Sequence, residues 1–304
     1  MRKHLLRAVA VTLSAGMLLT ACANTSSSTE AKTADSVIVR AANGDVRIAA
    51  PPKRIVSLSP TATEMLFSID AGKQVVAADD QSSYPKNAPR TKLSGLSPSA
   101  DAIAQYRPDL VVIDADRNGV VSALNKLRVP VLVEPAATNL DESYDQIADL
   151  GIATGHSKQA SQLASRLKQQ LATALDRVKD KLSRHSYYHE VDNTYYSLTS
   201  KTFLGSIYSM FGLSNIADAA AVAGNNYPQL NSEYIVRANP DLILLADVQC
   251  CGQSAVAVGK RPGWNQMRAV SKQHVVELDA DSASRWGPRI VEFAQAVAAA
   301  LQKF

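Results

Sequence analysis

The chain has 304 residues, 46% hydrophobic and 20% charged, which are the proportions of a folded globular protein and exclude a disordered or fibrous one. That length suits one large domain or two modest ones, each able to bury a core. The formal net charge is +4, but Arg2, Lys3 and Arg7 lie in the first 21 residues with no acid among them, so the remainder carries +1; this leaves no electrostatic case for nucleic-acid binding.

MRKHLLR is basic and AVAVTLSAGMLL is apolar, too short for a membrane span of ~20 residues. Residues 1–21 are therefore expected to be an export signal. Leu19-Thr20-Ala21-Cys22 resembles a bacterial lipobox, which implies cleavage before Cys22 and lipid on its thiol. The chain would then be anchored on the outer face of the cell membrane without spanning it. The alternative is an ordinary signal peptide cut nearby, with Cys22 incidental. Residues 22–36 continue as a serine-rich polar stretch without periodicity, read as a disordered tether reaching about 20 Å.

Residues 37–50 alternate around Asn43-Gly44, the signal of a two-residue hairpin. Residues 51–140 hold the short Val/Ile/Leu runs IVSL, VVAA, DLVVI and VPVLV, which suit strands buried on both faces, with helical patterns between them. Residues 141–184 are helical. Within them, 157–183 has apolar residues at Ala160, Leu163, Ala164, Leu167, Leu171, Leu175, Val178 and Leu182, a single stripe on a helix about 40 Å long. Ser157 is its expected cap. Residues 185–304 repeat the strand-rich pattern with DLILL and HVVEL. The expected fold is α/β: two similar lobes, each a mostly parallel sheet flanked by helices, joined by one long rigid α-helix.

The similarity of the lobes rests on three landmarks in one order. SLSPTATEMLFSIDAG at 57–72 is matched by SLTSKTFLGSIYSMFG at 197–212, DAIAQYRPDLVVI at 101–113 by EYIVRANPDLILL at 233–245, and VPVLV near 129 by HVVEL at 274, at offsets of 140, 132 and about 145. In each Pro-Asp-Leu the proline ends the preceding helix.

Catalytic and metal signatures are missing. No G-x-S-x-G, H-E-x-x-H or Walker A string appears, and no nucleophile–base constellation is evident. His156, His185, His189 and His274 are scattered, and His189-Glu190 reads as a structural pair. Cys250 and Cys251 are adjacent and form either a vicinal disulfide, in keeping with export, or two thiols in a turn. Neither spacing gives a metal chelate.

PPKRIVSLSPTATEMLF, the paired Pro-Asp-Leu phrases, the linking helix and the lipobox together resemble the substrate-binding lipoproteins of ABC importers for ferric siderophores and cobalamin, over roughly residues 51–303. The resemblance implies a monomer that carries no cofactor of its own, captures a metal chelate between its lobes and delivers it to a two-subunit permease. It also implies that Asp101 and Glu233, one acid per lobe, pair with arginines of the permease. The family usually has Glu in the first lobe, where this chain has the shorter Asp101. Both acids also fall in the first turn of a helix, where the dipole alone stabilises a carboxylate.

Loops that follow strands supply the ligand candidates: Ser59, Thr61 and Tyr84 in the first lobe, and Tyr195, Tyr227, Asp281, Arg285 and Trp286 in the second. Aromatic faces cover a flat chelate and arginine meets its acidic groups. By resemblance, Tyr227 matches an aromatic wall position of cobalamin-binding relatives, and Asp281 and Arg285 match polar ligand contacts. Trp286 also reads as a core plug. The first lobe has no tryptophan, although some cobalamin binders place one there. Ferric siderophore, corrinoid and haem all remain open as ligand. A surface sensor, or an exported enzyme acting on a chelate, remains open beside the importer.

Overall fold

A computed structural model of the chain describes residues 36–181 and 184–304. The expected signal, Cys22 with its expected lipid, all but the last residue of the expected tether, and Leu182 lie outside the described residues. A hairpin of β1 (Val37–Ala41) and β2 (Gly44–Ile48) comes first. The first lobe follows: β3 (Ile55–Leu58), α1 (Pro60–Ser68), β4 (Val75–Ala78), α2 (Ala100–Ala104), β5 (Leu110–Ile113), α3 (Val120–Lys126) and β6 (Val131–Val133). Two helices, α4 (Leu140–Thr154) and α5 (Ser157–Asp176), lead to the second lobe. That lobe holds β7 (Ser186–Glu190), α6 (Phe203–Met210), β8 (Ser214–Asn215), α7 (Ser232–Ala238), β9 (Leu242–Leu245), α8 (Val248–Cys251), α9 (Ala255–Gly259), α10 (Arg268–Ser271), β10 (Val275–Glu277) and α11 (Ile290–Leu301).

Both lobe sheets are four-stranded and parallel throughout, in the orders β4-β3-β5-β6 and β8-β7-β9-β10. Numbered within its own lobe, each reads 2-1-3-4, so the two topologies are the same. Strand residues alternate between two apolar cores. Val56, Leu58, Val111 and Ile113 face one side of the first sheet, while Ile55, Leu110, Val112 and Leu132 face the other. Burial on both faces is why these strands read as unbroken aliphatic runs.

The repeated Pro-Asp-Leu phrase does the same structural work twice. Asp109 accepts hydrogen bonds from the Lys53 and Arg54 amides at 2.8 Å, and Asp241 accepts from the Ser186 amide at 2.9 Å. In each lobe the aspartate pins the start of the third strand to the start of the first. The residues just before the prolines, Arg107 and Asn239, both adopt left-handed backbone, φ 47° and 48°, as helix-ending residues do.

The first landmark matches in letters but not in register. Ser57 and Leu58 belong to β3, whereas Ser197 and Leu198 lie in the loop after β7. The equivalent helix caps are Ser59, which accepts from the Ala62 amide, and Thr202, which accepts from the Gly205 amide. A longer loop between β7 and α6 accounts for the difference.

The hairpin turn also sits one residue earlier than expected. Ala41 pairs with Gly44, so Ala42 and Asn43 form the turn and Gly44 follows it at φ +99°, a conformation that only glycine adopts without strain. Asn43 is thereby freed to dock the hairpin on the edge of the first sheet. Its Nδ2 donates to Val131 O at 2.9 Å and its Oδ1 accepts from the Val133 amide at 3.1 Å. The exposed edge of β6 is covered, which is how sheets avoid unwanted pairing.

The linking helix is shorter than its apolar stripe. α5 ends at Asp176 and the chain tightens into a 3₁₀ turn at Lys179–Lys181, with Val178 N–H donating to Leu175 O and Lys181 N–H to Val178 O. Twenty residues span about 30 Å. Val178 stays buried, so the stripe continues while the backbone turns toward β7. Ser157 is the first helical residue; His156 occupies the cap and makes no side-chain cap bond. Leu163, Leu167 and Leu171 are buried, each stabilising by about 1.5–3 kcal/mol. α5 packs against α4 on one side and α11 on the other. One continuous core thus runs from Val39 of the hairpin through Leu167 to Leu301.

Candidate binding cleft

In parallel sheets the carboxyl ends of the strands carry the functional loops, above all where strand order reverses. The reversals lie between β3 and β5 in the first lobe and between β7 and β9 in the second. Successive β7 residues point to opposite faces. Tyr187 joins the core around α6 and α11, and Tyr188 joins the core around Trp264.

A cavity of about 280 Å³ opens between the lobes. Ala136 and Ala137, just after β6, form one wall. Leu198, Phe203, Tyr227 and Trp286 form most of the other, and His189 and Arg285 complete it. Its lining is predominantly apolar with a few polar atoms, the character of a small-molecule site.

The segment from Asp279 to Arg289 is an arm of the second lobe that reaches the first. Arg285 Nη1 donates to Glu64 Oε1 at 2.6 Å, and Arg289 meets the same carboxylate at 2.7 and 3.0 Å. Glu64 lies on α1 and is 1% exposed. Burial works against the charge on Arg289, but its hydrogen bonds to Glu64 outweigh this, with Asp281 and Asp279 adding to them, and hold the guanidinium more firmly protonated than usual. Ser83 Oγ donates to Asp281 at 2.8 Å. Trp286 Nε1 donates to Gln146 on α4 at 2.8 Å, and Ser143 Oγ donates to Trp286 O at 2.5 Å. Bidentate and charge-assisted bonds of this kind are the strong ones.

The ligand residues expected from the sequence separate into two groups. Tyr227, Arg285 and Trp286 border the cavity. Tyr84 is 43% exposed on the opposite lobe, with the Arg289 guanidinium 4.5 Å from its ring centre. Asp281 stands between Ser83 and Arg285. The others turn inward. Ser59 and Thr61 are each 2% exposed; Ser59 is occupied in capping α1, and Thr61 lies beneath Gly287. Tyr195, at φ +70°, stacks on Trp264 at 5.9 Å with Arg261 beside it, away from the cavity lining. Its neighbour Tyr196 is the exposed one. These three side chains support the walls and present little surface to a ligand. Trp286 is bonded to Gln146, as a core plug would be, and also borders the cavity.

Sequence reasoning missed Glu64 as a site-forming residue. The available signal was a carboxylate inside the otherwise uncharged helical string PTATEMLF. Trp264 was also missed. It is fully buried, donates to Ser232 Oγ at 2.7 Å and packs against Arg261 at 4.5 Å. Arg261 makes two 2.6 Å bonds to Glu190 at the end of β7. Beside them Asp247, after β9, has both carboxylate oxygens buried without a partner; burial first, then Glu190, pushes its pKa up to about 7.

Asp101 and Glu233 are both exposed, in the first turns of α2 and α7. Ser99 and Asn231 cap these helices by accepting from the Ala102 and Tyr234 amides. A helix joining parallel strands runs back against them, so its first turn lies at their carboxyl ends. Each acid is therefore on the cleft-bearing end of its lobe. Cys250 and Cys251 are joined by a disulfide at the end of α8. Gln249 of the same helix donates to Leu278 O and accepts from the Ala280 amide at the root of the arm.

Comparison with known proteins agrees with this architecture. The chain is 30% identical to a substrate-binding lipoprotein of an ABC transporter from Bacillus subtilis, YvrC, itself uncharacterised, over 93% of this chain and 92% of that one. It is 29% identical to a cobalamin-binding protein of Halobacterium salinarum, over 83% of this chain and 70% of that one. The crystal structure of the periplasmic vitamin B12-binding protein BtuF of Vibrio cholerae shares the fold, with a TM-score of 0.70 and 23% identity over 83% of this chain and 97% of that one. Residues 55–282 match the sequence profile described as periplasmic binding protein, so a chain of two like lobes with a cavity between them belongs to the periplasmic binding protein family.

Proposed function

We propose that this protein captures a metal chelate in the cleft and hands it, unchanged, to a two-subunit ABC permease. The observation that carries the reading is the apolar cavity at the carboxyl ends of both sheets, walled by Tyr227, Trp286 and Phe203. A corrinoid is favoured over a ferric siderophore, because a relative 29% identical over 83% of this chain is a cobalamin-binding protein. Asp101 and Glu233 are the docking carboxylates, exposed and equivalently placed on the two lobes. Lipid on Cys22 and a short tether would keep the folded body near the outer membrane surface of the cell. No described helix is long and apolar enough to cross a membrane.

The test is saturable quenching of tryptophan and tyrosine fluorescence by cobalamin, cobinamide, several ferric siderophores and haemin. Tight quenching by the corrinoids supports the reading. Preference for a siderophore or haemin reassigns the cargo, and no quenching by any of them refutes the function.

A further inference from the structure

Charge is divided along the strands of both lobes. The five residues that precede each strand from β3 to β10 hold ten lysines and arginines and three aspartates in all, whereas the five that follow each strand hold one arginine and ten aspartates and glutamates. Two of the three aspartates are engaged locally, since Asp109 and Asp241 accept from the amides at or just before the starts of β3 and β7. The strand-entry end of each lobe is therefore basic, and the cleft-bearing end is acidic.

The basic groups gather in the first lobe. β3, β5 and β6 are neighbours in its sheet, about 5 Å apart, and Lys53, Arg107, Lys126 and Arg128 stand at their entries, all exposed. None of these four side chains forms an ion pair among the described residues. Leu127, between the last two, is 52% exposed. Arg128 also borders a polar groove of about 310 Å³ with Arg47, Asn43 and Asn125; Asp45, the acid on that groove, is 3.8 Å from Arg40. Arg47 Nη1 donates to Ser36 Oγ at 3.0 Å, so the described chain begins beside this patch. Ser36 is fourteen residues past Cys22, a separation of at most about 50 Å. Clustered cations suit the phosphates of an anionic bilayer surface, and an aliphatic side chain among them suits the boundary beneath the headgroups.

We propose that Lys53, Arg107, Lys126 and Arg128, with Leu127 among them, form a surface that rests the first lobe on anionic lipid headgroups and leaves the acidic cleft end turned to solution while the protein awaits cargo. This rests on reading the chain as a lipid-anchored binding protein. Delivery then requires the body to lift from the lipid and present its acidic end to the permease.

The experiment uses the mature chain from residue 22 with Cys22→Ser, so that no acyl chain contributes, and sediments it with vesicles of phosphatidylglycerol and phosphatidylcholine in equal parts or of phosphatidylcholine alone. The expected result is sedimentation with the anionic vesicles only, weakening at least about tenfold between about 20 and 300 mM salt as the charges are screened. Lys53→Gln, Lys126→Gln and Arg128→Gln together weaken it by at least about tenfold with the melting temperature unchanged. Lys158→Gln, Arg166→Gln and Lys260→Gln together remove the same charge elsewhere and leave it within about twofold. A polarity-sensitive dye on Leu127→Cys shifts to the blue with anionic vesicles, and the same dye on Asp101→Cys does not. Absence of vesicle binding, equal weakening by the two triple variants, or a blue shift at position 101 in place of 127 overturns the proposal. So does retention on a soluble polyanion without vesicle binding, which assigns the patch to another partner. Mass spectrometry of the exported full chain reads the lipid on Cys22 separately: if that lipid is absent the anchored reading fails, whatever the vesicles show.

Discussion

Glu64 and Arg289 are 225 residues apart in the chain, yet Arg289 donates to both oxygens of the Glu64 carboxylate, at 2.7 and 3.0 Å. The pair joins α1 of the first lobe to the arm of the second, and Arg285 reinforces it from the same arm. Removing the carboxylate leaves two guanidiniums that are 10% and 12% exposed without their main partner. Glu64→Gln is expected to destabilise the fold by about 3–5 kcal/mol in chemical denaturation. Arg289→Lys keeps the charge but loses the fork, and is expected to cost about 1–3 kcal/mol.

Glu134 makes stability depend on pH. It is 5% exposed at the end of β6, with Oε1 lacking a partner. Burial, aided by Asp149 on α4, pushes its pKa from 4.5 up to about 8. The native state therefore keeps a proton that the unfolded chain has released, so this residue's contribution to stability falls as pH rises from 4.5 towards about 8. The loss at the alkaline end is on the order of a few kcal/mol. Glu134→Gln is expected to flatten that slope and raise the melting temperature at pH 8, leaving it little changed at pH 4. Melting curves across this range check the sign.

Gly205 lies where α6 crosses the loop after β7. A Cβ there would collide with Thr199 O and the Ser200 backbone, and backbone cannot yield as a flexible side chain does. Gly205→Ala is expected to destabilise by about 1–3 kcal/mol. It also displaces Phe203 and Leu204, two cavity-wall residues, so ligand quenching weakens in step with the loss of melting temperature.

Asp101→Ala and Glu233→Ala separate delivery from capture. Neither side chain makes a hydrogen bond or ion pair among the described residues, so each change is expected to cost no more than about 1 kcal/mol, the dipole contribution of a first-turn acid. Ligand affinity is expected to hold while uptake by cells falls. Uptake equal to that of the unsubstituted protein in the double variant would end the docking assignment.

What could be read from the sequence followed periodicity. The aliphatic strand runs, the stripe on α5 and the two Pro-Asp-Leu phrases needed only spacing. Their lobe roles were legible because the same phrase recurs where the same strand junction recurs. Ser59, Thr61 and Tyr195 were placed in the right loops but pointed inward. Capping and stacking depend on side-chain direction, which periodicity does not encode. Glu64 with Arg289 and Arg285, and Glu190 with Arg261, depend on contacts across 71 to 225 residues, for which a single sequence has no signal.

The core that passes through α5 ties the folding of one half of the molecule to that of the other. Val39, Leu167 and Leu301 belong to one packed body, so neither half, cut free, keeps its apolar underside covered. Heating should therefore give a single calorimetric transition whose van't Hoff and measured enthalpies agree. A fragment ending before α5 should precipitate on expression rather than persist as an independent half.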